Sequence, residues 1–397
     1  MSPTVNFALV NTVPVRLPHA DGGFIDHTPN PARQWRKPDG PFGTRVAFAA
    51  AHVVADRRAD NVPGALAAID WEATLAFRRH LYAYGFGVAE AMDTAQRGMG
   101  LDWSATRELI RRSAADAAAV GGRIAAGVGT DQLSTQDTDL DAVLAAYIEQ
   151  LEFVEEAGAQ PILMCSRQLA CAADGPADYL SIYEPLVERS ARPVILHWLG
   201  TAFDPALAGY WGSAEIPAAS ETLLELIGRH PKKIDGVKIS LLDADHEKVL
   251  RAALPAGVRL YTGDDFNYPE LIKGDGTHHS DALLGIFAAI APAASAALQA
   301  LDASDETAYD EAFRPTLDLA RHVFAAPTYY YKTGIAFLAW LSGLQPGFTM
   351  VGGLHSARGA VHLAEAYRLA DRAGLLPDPD LAAARMRSFL SVAGFEA

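Results

Sequence analysis

Residues 193–199 read PVILHWL, residues 219–230 read ASETLLELIGRH, and residues 234–240 read IDGVKIS. The outer two are short runs dominated by Val, Ile and Leu, while the middle one is an amphipathic stretch of helical length that stops at His230-Pro231. A strand, a crossover helix and a second strand in this order make one β/α unit.

The same alternation runs outward in both directions. Strand-like segments fall at 45–54, 85–91, 123–128, 160–165, 193–199, 236–239 and 258–262, with a weaker one around 278–284. Helical stretches separate them at 70–84, 103–119, 140–158, 177–190, 219–230, 245–254 and 268–273, and Asp70 stands in the cap position of the first. Eight units in a row predict an α/β chain closed into a (β/α)8 TIM barrel over residues 43–303. The sequence contains no GxGxxG and no GxxxxGK(S/T), so neither a dinucleotide-binding open sheet nor a phosphate loop has local support. Beyond residue 303 the strand signals stop. Stretches at 305–325, 332–342, 357–373 and 380–393 predict an all-helical C-terminal region, 304–397. Residues 1–42 carry seven prolines and no sustained period, which predicts an irregular N-terminal extension.

Composition narrows the function classes. The chain has 397 residues, half of them hydrophobic, enough to bury a large core. Lys and Arg number 33 against 48 Asp and Glu, and the resulting charge of −15 repels nucleic acid and anionic membrane surfaces. Cys165 and Cys171 are too few for a disulfide framework, the first 15 residues show no signal-peptide pattern, and the apolar run 282–298 is short, alanine-rich and interrupted by Pro292. A cytoplasmic protein with a core helix over that run is the expectation.

Alternation along 234–240 sends Val237 and Ile239 one way and Gly236, Lys238 and Ser240 the other. In a barrel Lys238 then points inward, where desolvation lowers its pKa and leaves a neutral amine able to attack a carbonyl. The plainer alternative is a strand-end lysine snorkelling to water or pairing with a carboxylate. Gly236 and Ser240 on the same face leave space for a ligand. His197 ends its strand on the side where barrel enzymes keep their sites, as a proton shuttle or as a satisfied structural group. Residues 85–94 (GFGVAEAMDT) end another strand with Glu90, Asp93 and Thr94, which suit substrate hydroxyls or acid–base work, or cap the next helix. Gly263-Asp264-Asp265 closes the seventh strand in the same way. His52, His278 and His279 also fall near strand ends and, with Asp93 or Glu90, offer a metal set, although no His-x-His stands on the first strand.

These residues together resemble the dihydrodipicolinate synthase and N-acetylneuraminate lyase superfamily of class I aldolases, in order from about residue 45 to 345. Residues 70–88 look like that family's first helix and second strand, 123–131 (RIAAGVGTD) its third strand, and 158–166 its fourth. Lys238 in GVKIS resembles the Schiff-base lysine of its G-I/V-K strand, and 260–265 (LYTGDD) resembles its GDD turn. Residues 287–292 (FAAIAP) and 329–332 resemble its A-N-x-x-P and NP-x-x-x-K segments. The departures bear on substrate. Met92-Asp93-Thr94-Ala95-Gln96 stands where the family has the G-T-T-G-E that holds the pyruvate carboxylate, and an Asp there repels a keto acid. His197 takes the place of the family's proton-relaying tyrosine, and Gly200-Thr201-Ala202-Phe203 lacks the synthases' arginine.

The resemblance implies a lyase without cofactor or metal, carrying out retro-aldol cleavage or dehydration of a small carbonyl compound, a keto acid or a sugar-derived ketone, in a homodimer or homotetramer. Lys238 and His197 are the expected catalytic pair. Asp93, Thr94, Glu90, Ser240, Gly263, Asp264, His52 and His279 are the expected substrate-binding residues. A metal-dependent barrel isomerase or hydrolase built on the histidines, and a carbohydrate-binding relative without catalysis, are the competing readings.

Overall fold

The unit at 193–240 fixes the frame of the molecule. In the computed structural model, which describes residues 13–134 and 139–395, strands Val194–Leu199 and Ile234–Ser240 lie parallel with His197 beside Lys238, and the helix Ile216–Arg229 crosses over between them. Numbered in chain order, a hairpin of β1 (Val15–Pro18) and β2 (Phe24–His27) precedes eight barrel strands. These are β3 (Ala47–Ala50), β4 (Gly87–Glu90), β5 (Ile124–Val128), β6 (Gln160–Leu163), β7 (Val194–Leu199), β8 (Ile234–Ser240), β9 (Arg259–Thr262) and β10 (Asp281–Leu284). Each pairs in parallel with the next, and β10 pairs with β3 to close a (β/α)8 TIM barrel.

The crossovers form where capping and apolar spacing direct them. Asp70, Asp102, Asp139, Asp243, Asp305 and Asp378 each accept a backbone N–H of the first helical turn that follows. A cap of this kind stabilises its helix by about 0.5–2 kcal/mol. The outward-facing Val88, Leu196 and Val237 are fully buried under the helices.

Inside the barrel the lower half is plugged. Phe48 and Tyr261 meet ring edge to face at 6.1 Å among Ala89, Ala125, Ile162, Ile195 and Leu283. Gly87 is required opposite them, because a Cβ there would come within 2.6 Å of the Phe48 ring. The upper half, toward the strands' C-terminal ends, is polar. Chemistry is therefore confined to that end.

The C-terminal region folds as the helices Glu306–Val323, Tyr331–Leu341, Ala360–Arg372 and Pro379–Val392. Three expectations need correction. The N-terminal segment is not wholly irregular, since β1 and β2 pair and bury Val15 and Leu17 against the C-terminal helices. The apolar run at 282–298 is split, its first residues completing β10 and the rest entering the helix Phe287–Asp302. The weak eighth strand begins at Asp281, because residues 274–280 form a turn with Gly274 and Gly276 at positive φ. Among the described residues no helix is long and apolar enough to cross a membrane.

Candidate active site

Lys238 projects from the inner wall of β8 and is 5% exposed. Its ammonium faces the carboxylates of Asp93 and Asp265, and burial outweighs both in pulling its pKa below the ordinary lysine value. Gly263, just past β9, makes this position possible. A Cβ at Gly263 would lie 2.2 Å from Ser240 Oγ and 2.9 Å from Lys238 Cε.

His197 stands beside Lys238 across the β7–β8 pairing, with Nε2 3.3 Å from Ser240 Oγ. Among the described residues its Nδ1 has no hydrogen-bond partner. Burial, with Lys238 adding to it, holds the imidazole pKa well below its usual range, so the ring is neutral. Asp265 accepts from the Ile286 backbone N–H at 2.8 Å, and burial pushes its carboxyl up to about 8 despite the pull of that hydrogen bond and of Lys238. Burial thus drives the pair toward its neutral forms, lowering the lysine pKa and raising that of the carboxyl, because neither charge is stabilised by water.

The wall opposite comes from the segment after β4 and from the C-terminal helices. Tyr331 donates to Asp93 Oδ2 at 3.0 Å, and its hydroxyl lies 2.5 Å from Thr94 Oγ1. Lys332 Nζ lies 3.6 Å from the same Asp93 oxygen. Stacking on Phe324 at 4.2 Å fixes the Tyr331 ring, and Gly285 leaves room for that stack, since a Cβ there would stand 3.0 Å from Tyr331. Above this wall opens a cavity of about 430 Å³, within the range of small-molecule sites. Asp93 and Lys332 are in its lining, and Asp93 is shared with the Lys238 layer below. A further cavity of about 400 Å³ lies at the opposite end of the barrel, against Phe42, Tyr82 and Gly87.

The structure thus brings together Lys238, His197, Ser240, Gly263, Asp93 and Thr94. Four expected site residues stand elsewhere. Glu90 shares the outward parity of Val88 and is held by Arg78 of the helix Trp71–Ala83 through paired bonds of 2.8 and 2.9 Å. Asp264 turns away to tie the following loop, accepting from Phe266 N at 2.8 Å and Asn267 Nδ2 at 2.9 Å. His52 lies past the end of β3 with its ring against Phe77 and Nε2 bonded to Gln345 at 2.7 Å. His279, with His278, sits in the turn before β10, at the N-terminal end of the barrel. The histidines offered as metal ligands are therefore on opposite ends, and the described residues contain no group of three His, Cys, Asp or Glu able to hold an ion.

Asp265, Tyr331 and Lys332, in the sequence only parts of the GDD turn and of the 329–332 segment, were not among the expected site residues. The available signal was a lysine inside the apolar helix YKTGIAFLAWL, at 331–341, where a charge has no structural reason to be.

Residues 15–395 match a family model described as "Protein of unknown function (DUF993)". No curated protein matches the chain. Solved structures do. Dihydrodipicolinate synthase from Acinetobacter baumannii, complexed with pyruvate, superposes with a TM-score of 0.62 at 16% identity, covering 84% of this chain and all of that one. The 4-hydroxy-tetrahydrodipicolinate synthase of Methylacidiphilum fumariolicum SolV gives 0.62 at 13% identity, over 88% of this chain and 99% of its own. The Bacteroides thetaiotaomicron dihydrodipicolinate synthase gives 0.62 at 13%, over 82% and 98%. At such identity the likeness is one of fold.

Proposed function

The chain belongs to the DUF993 family, and within it we propose a Schiff-base-forming lyase that acts on a small carbonyl compound through Lys238. One observation carries the proposal: a buried lysine on the inner wall of a (β/α)8 barrel, near the strands' C-terminal ends, with a glycine beside its side chain and no partner within ion-pair distance among the described residues. The synthase structures of similar fold support the reading.

The chemistry follows from the protonation states. In its neutral form, which burial favours, Lys238 attacks the substrate carbonyl carbon, and one proton passes from its nitrogen to the carbonyl oxygen as the carbinolamine forms. Asp265, protonated below about pH 8, supplies a proton to the departing oxygen, which leaves as water. The iminium then acts as an electron sink. When His197, neutral and unpartnered at Nδ1, takes the proton from a hydroxyl two carbons away, the intervening C–C bond breaks and its electrons come to rest as an enamine. Protonation and hydrolysis return Lys238. Dehydration uses the same iminium, which loses a proton from the adjacent carbon to His197 to give the enamine, and the enamine then expels the hydroxyl of the next carbon as water with that proton returned by His197.

Borohydride trapping with pyruvate, other 2-keto acids, aldehydes and keto-sugars, read by intact mass, tests this. An adduct is expected in the wild type and none in Lys238→Ala, which also loses turnover while keeping its far-UV circular dichroism. Adduct formation should rise with pH as the amine deprotonates below its ordinary 10.5, and fall again above about pH 8 as Asp265 loses the proton it supplies. Turnover surviving in Lys238→Ala would refute the covalent mechanism. Ligand-dependent thermal stabilisation without adduct or product would instead favour the binding-protein reading.

A further inference from the structure

The cavity above Lys238 holds more hydrogen-bond donors than its own acceptors engage. Asp131 is gripped by Arg97 at 3.1 Å through Nε and receives Gln150 Nε2 at 2.9 Å. Asp204 accepts from Arg167 Nε at 2.6 Å and from the Ala206 backbone at 3.1 Å. Asp93 accepts the Tyr331 hydroxyl. Two cations are left with free N–H groups. Lys332 is 1% exposed, yet among the described residues its Nζ finds the Met99 thioether at 3.3 Å, the Asp93 oxygen at 3.6 Å and the Tyr331 ring at 5.4 Å, and no oxygen closer than 3.6 Å. Arg167 uses Nε alone on Asp204, and among the described residues its two terminal nitrogens bond to nothing. Both side chains line the cavity.

A buried ammonium without an oxygen in hydrogen-bond range is costly, and the cost falls when a ligand brings the acceptors. We infer that the cavity is an oxyanion subsite, in which Lys332 and Arg167 bind a carboxylate or phosphate group at the end of the substrate remote from the carbonyl. The substrate class is then a carbonyl compound with an anionic tail. Asp93 also lines the cavity, but its charge is countered there by the Tyr331 hydroxyl it accepts and by Lys332 Nζ at 3.6 Å. Burial pulls the Lys332 pKa down, with Asp93 opposing and Arg167 adding to the fall, so an incoming anion also raises it again. The inference rests on the Lys238 reading for the carbonyl end only.

Two experiments separate the claims. Calorimetric titration of the wild-type protein with inorganic phosphate and with malonate, neither of which has a ketone, reads the subsite alone. Saturable binding of at least one is expected, weakened by about tenfold or more in Lys332→Met and in the half-exposed Arg167→Gln. Which anion binds distinguishes a phosphate from a carboxylate tail. No saturable binding, or equal binding in both variants, overturns the inference, and Arg167→Gln keeps the test decisive if Lys332→Met does not fold. The second experiment traps adducts from matched pairs, dihydroxyacetone against its phosphate and pyruvate against 2-oxoglutarate. The anionic-tailed member should label at roughly a tenth of the concentration or less, a preference that Lys332→Met reduces to within about twofold. Equal labelling of both members overturns the inference while leaving the Schiff base intact. Anion binding without any adduct overturns the Schiff base while leaving the subsite intact.

Discussion

Gly263 is the smallest residue in the site and constrains it most tightly. Its Cβ would fall 2.7 Å from the backbone oxygen of Ile239 as well as against Ser240 and Lys238, and backbone cannot swing aside as a side-chain tip does. Gly263→Ala should therefore move β8 or displace Lys238. A stability loss of about 1–3 kcal/mol, typical of overpacking, is expected together with a disproportionate fall in adduct formation at Lys238. Denaturant unfolding and borohydride trapping measure the two, and trapping at the wild-type rate would show that the glycine is not what opens the site. Residues of this kind were readable in the sequence where a regular period governed them. Lys238 and Ser240 follow from alternation along one strand, and Glu90 was misjudged where that same parity, shared with Val88, already pointed outward. Asp264 and Asp265 lie beyond the strand end, where alternation lapses and only the turn decides which carboxyl faces in. Tyr331 and Lys332 reach the site from a helix remote in sequence; the charge in that apolar helix marks Lys332, but no local pattern says which strands it faces.

At the scale of elements, the strand β4 and the helix Trp71–Ala83 are joined by a contact that apolar periodicity cannot reveal. Arg78 and Glu90 are 1% and 0% exposed and bond in a bidentate pair through Nε and Nη2 of the guanidinium, and Arg78 Nη1 donates to the His52 carbonyl, tying in the segment after β3. Replacing the arginine leaves a buried carboxylate with little to stabilise it, its remaining donor being the Ala91 backbone N–H. Arg78→Met, which keeps most of the stem's volume, should cost about 3–5 kcal/mol in urea unfolding, and a loss under about 1 kcal/mol would mean that water or a shifted neighbour satisfies Glu90. The elements themselves were largely legible. Helix starts coincide with Asp caps, and strand cores with Val, Ile, Leu and Ala runs, because these are short-range signals. The eighth strand was placed early because His278 and His279 precede it in a turn whose glycines reverse the chain, and that displacement carried both histidines to the wrong end of the barrel.

For the molecule as a whole, the two ends of the described chain close on each other. The hairpin of β1 and β2 packs on the helices Ala360–Arg372 and Pro379–Val392, and these in turn contact Tyr331–Leu341, the helix that presents Tyr331 and Lys332 to the site. Prolines and four-residue strands hid this hairpin from any periodic reading, and β2 is exposed along most of its length, so it carries no apolar alternation to detect. What fastens the segment is polar. Asp371, 3% exposed, accepts from the Asn30 backbone at 3.1 Å, from Asn30 Nδ2 at 2.6 Å, and meets His27 Nε2 at 2.9 Å. Removing that carboxylate in Asp371→Ala strands three partners at once. Since hydrogen bonds to a charged group contribute about 1.5–3 kcal/mol each before they compensate one another, a net loss of roughly 2–4 kcal/mol is expected. Because the barrel closes without the hairpin, the loss should be local: limited proteolysis should cut within residues 13–42 well below the main melting transition, while borohydride adducts at Lys238 form at the wild-type rate. An unchanged cleavage pattern would show that apolar contacts at Val15 and Leu17 suffice to hold the hairpin. A parallel fall in adduct formation would show that the clasp extends its effect through the C-terminal helices to Tyr331 and Lys332, making the first strands of the chain part of the structure that shapes the site.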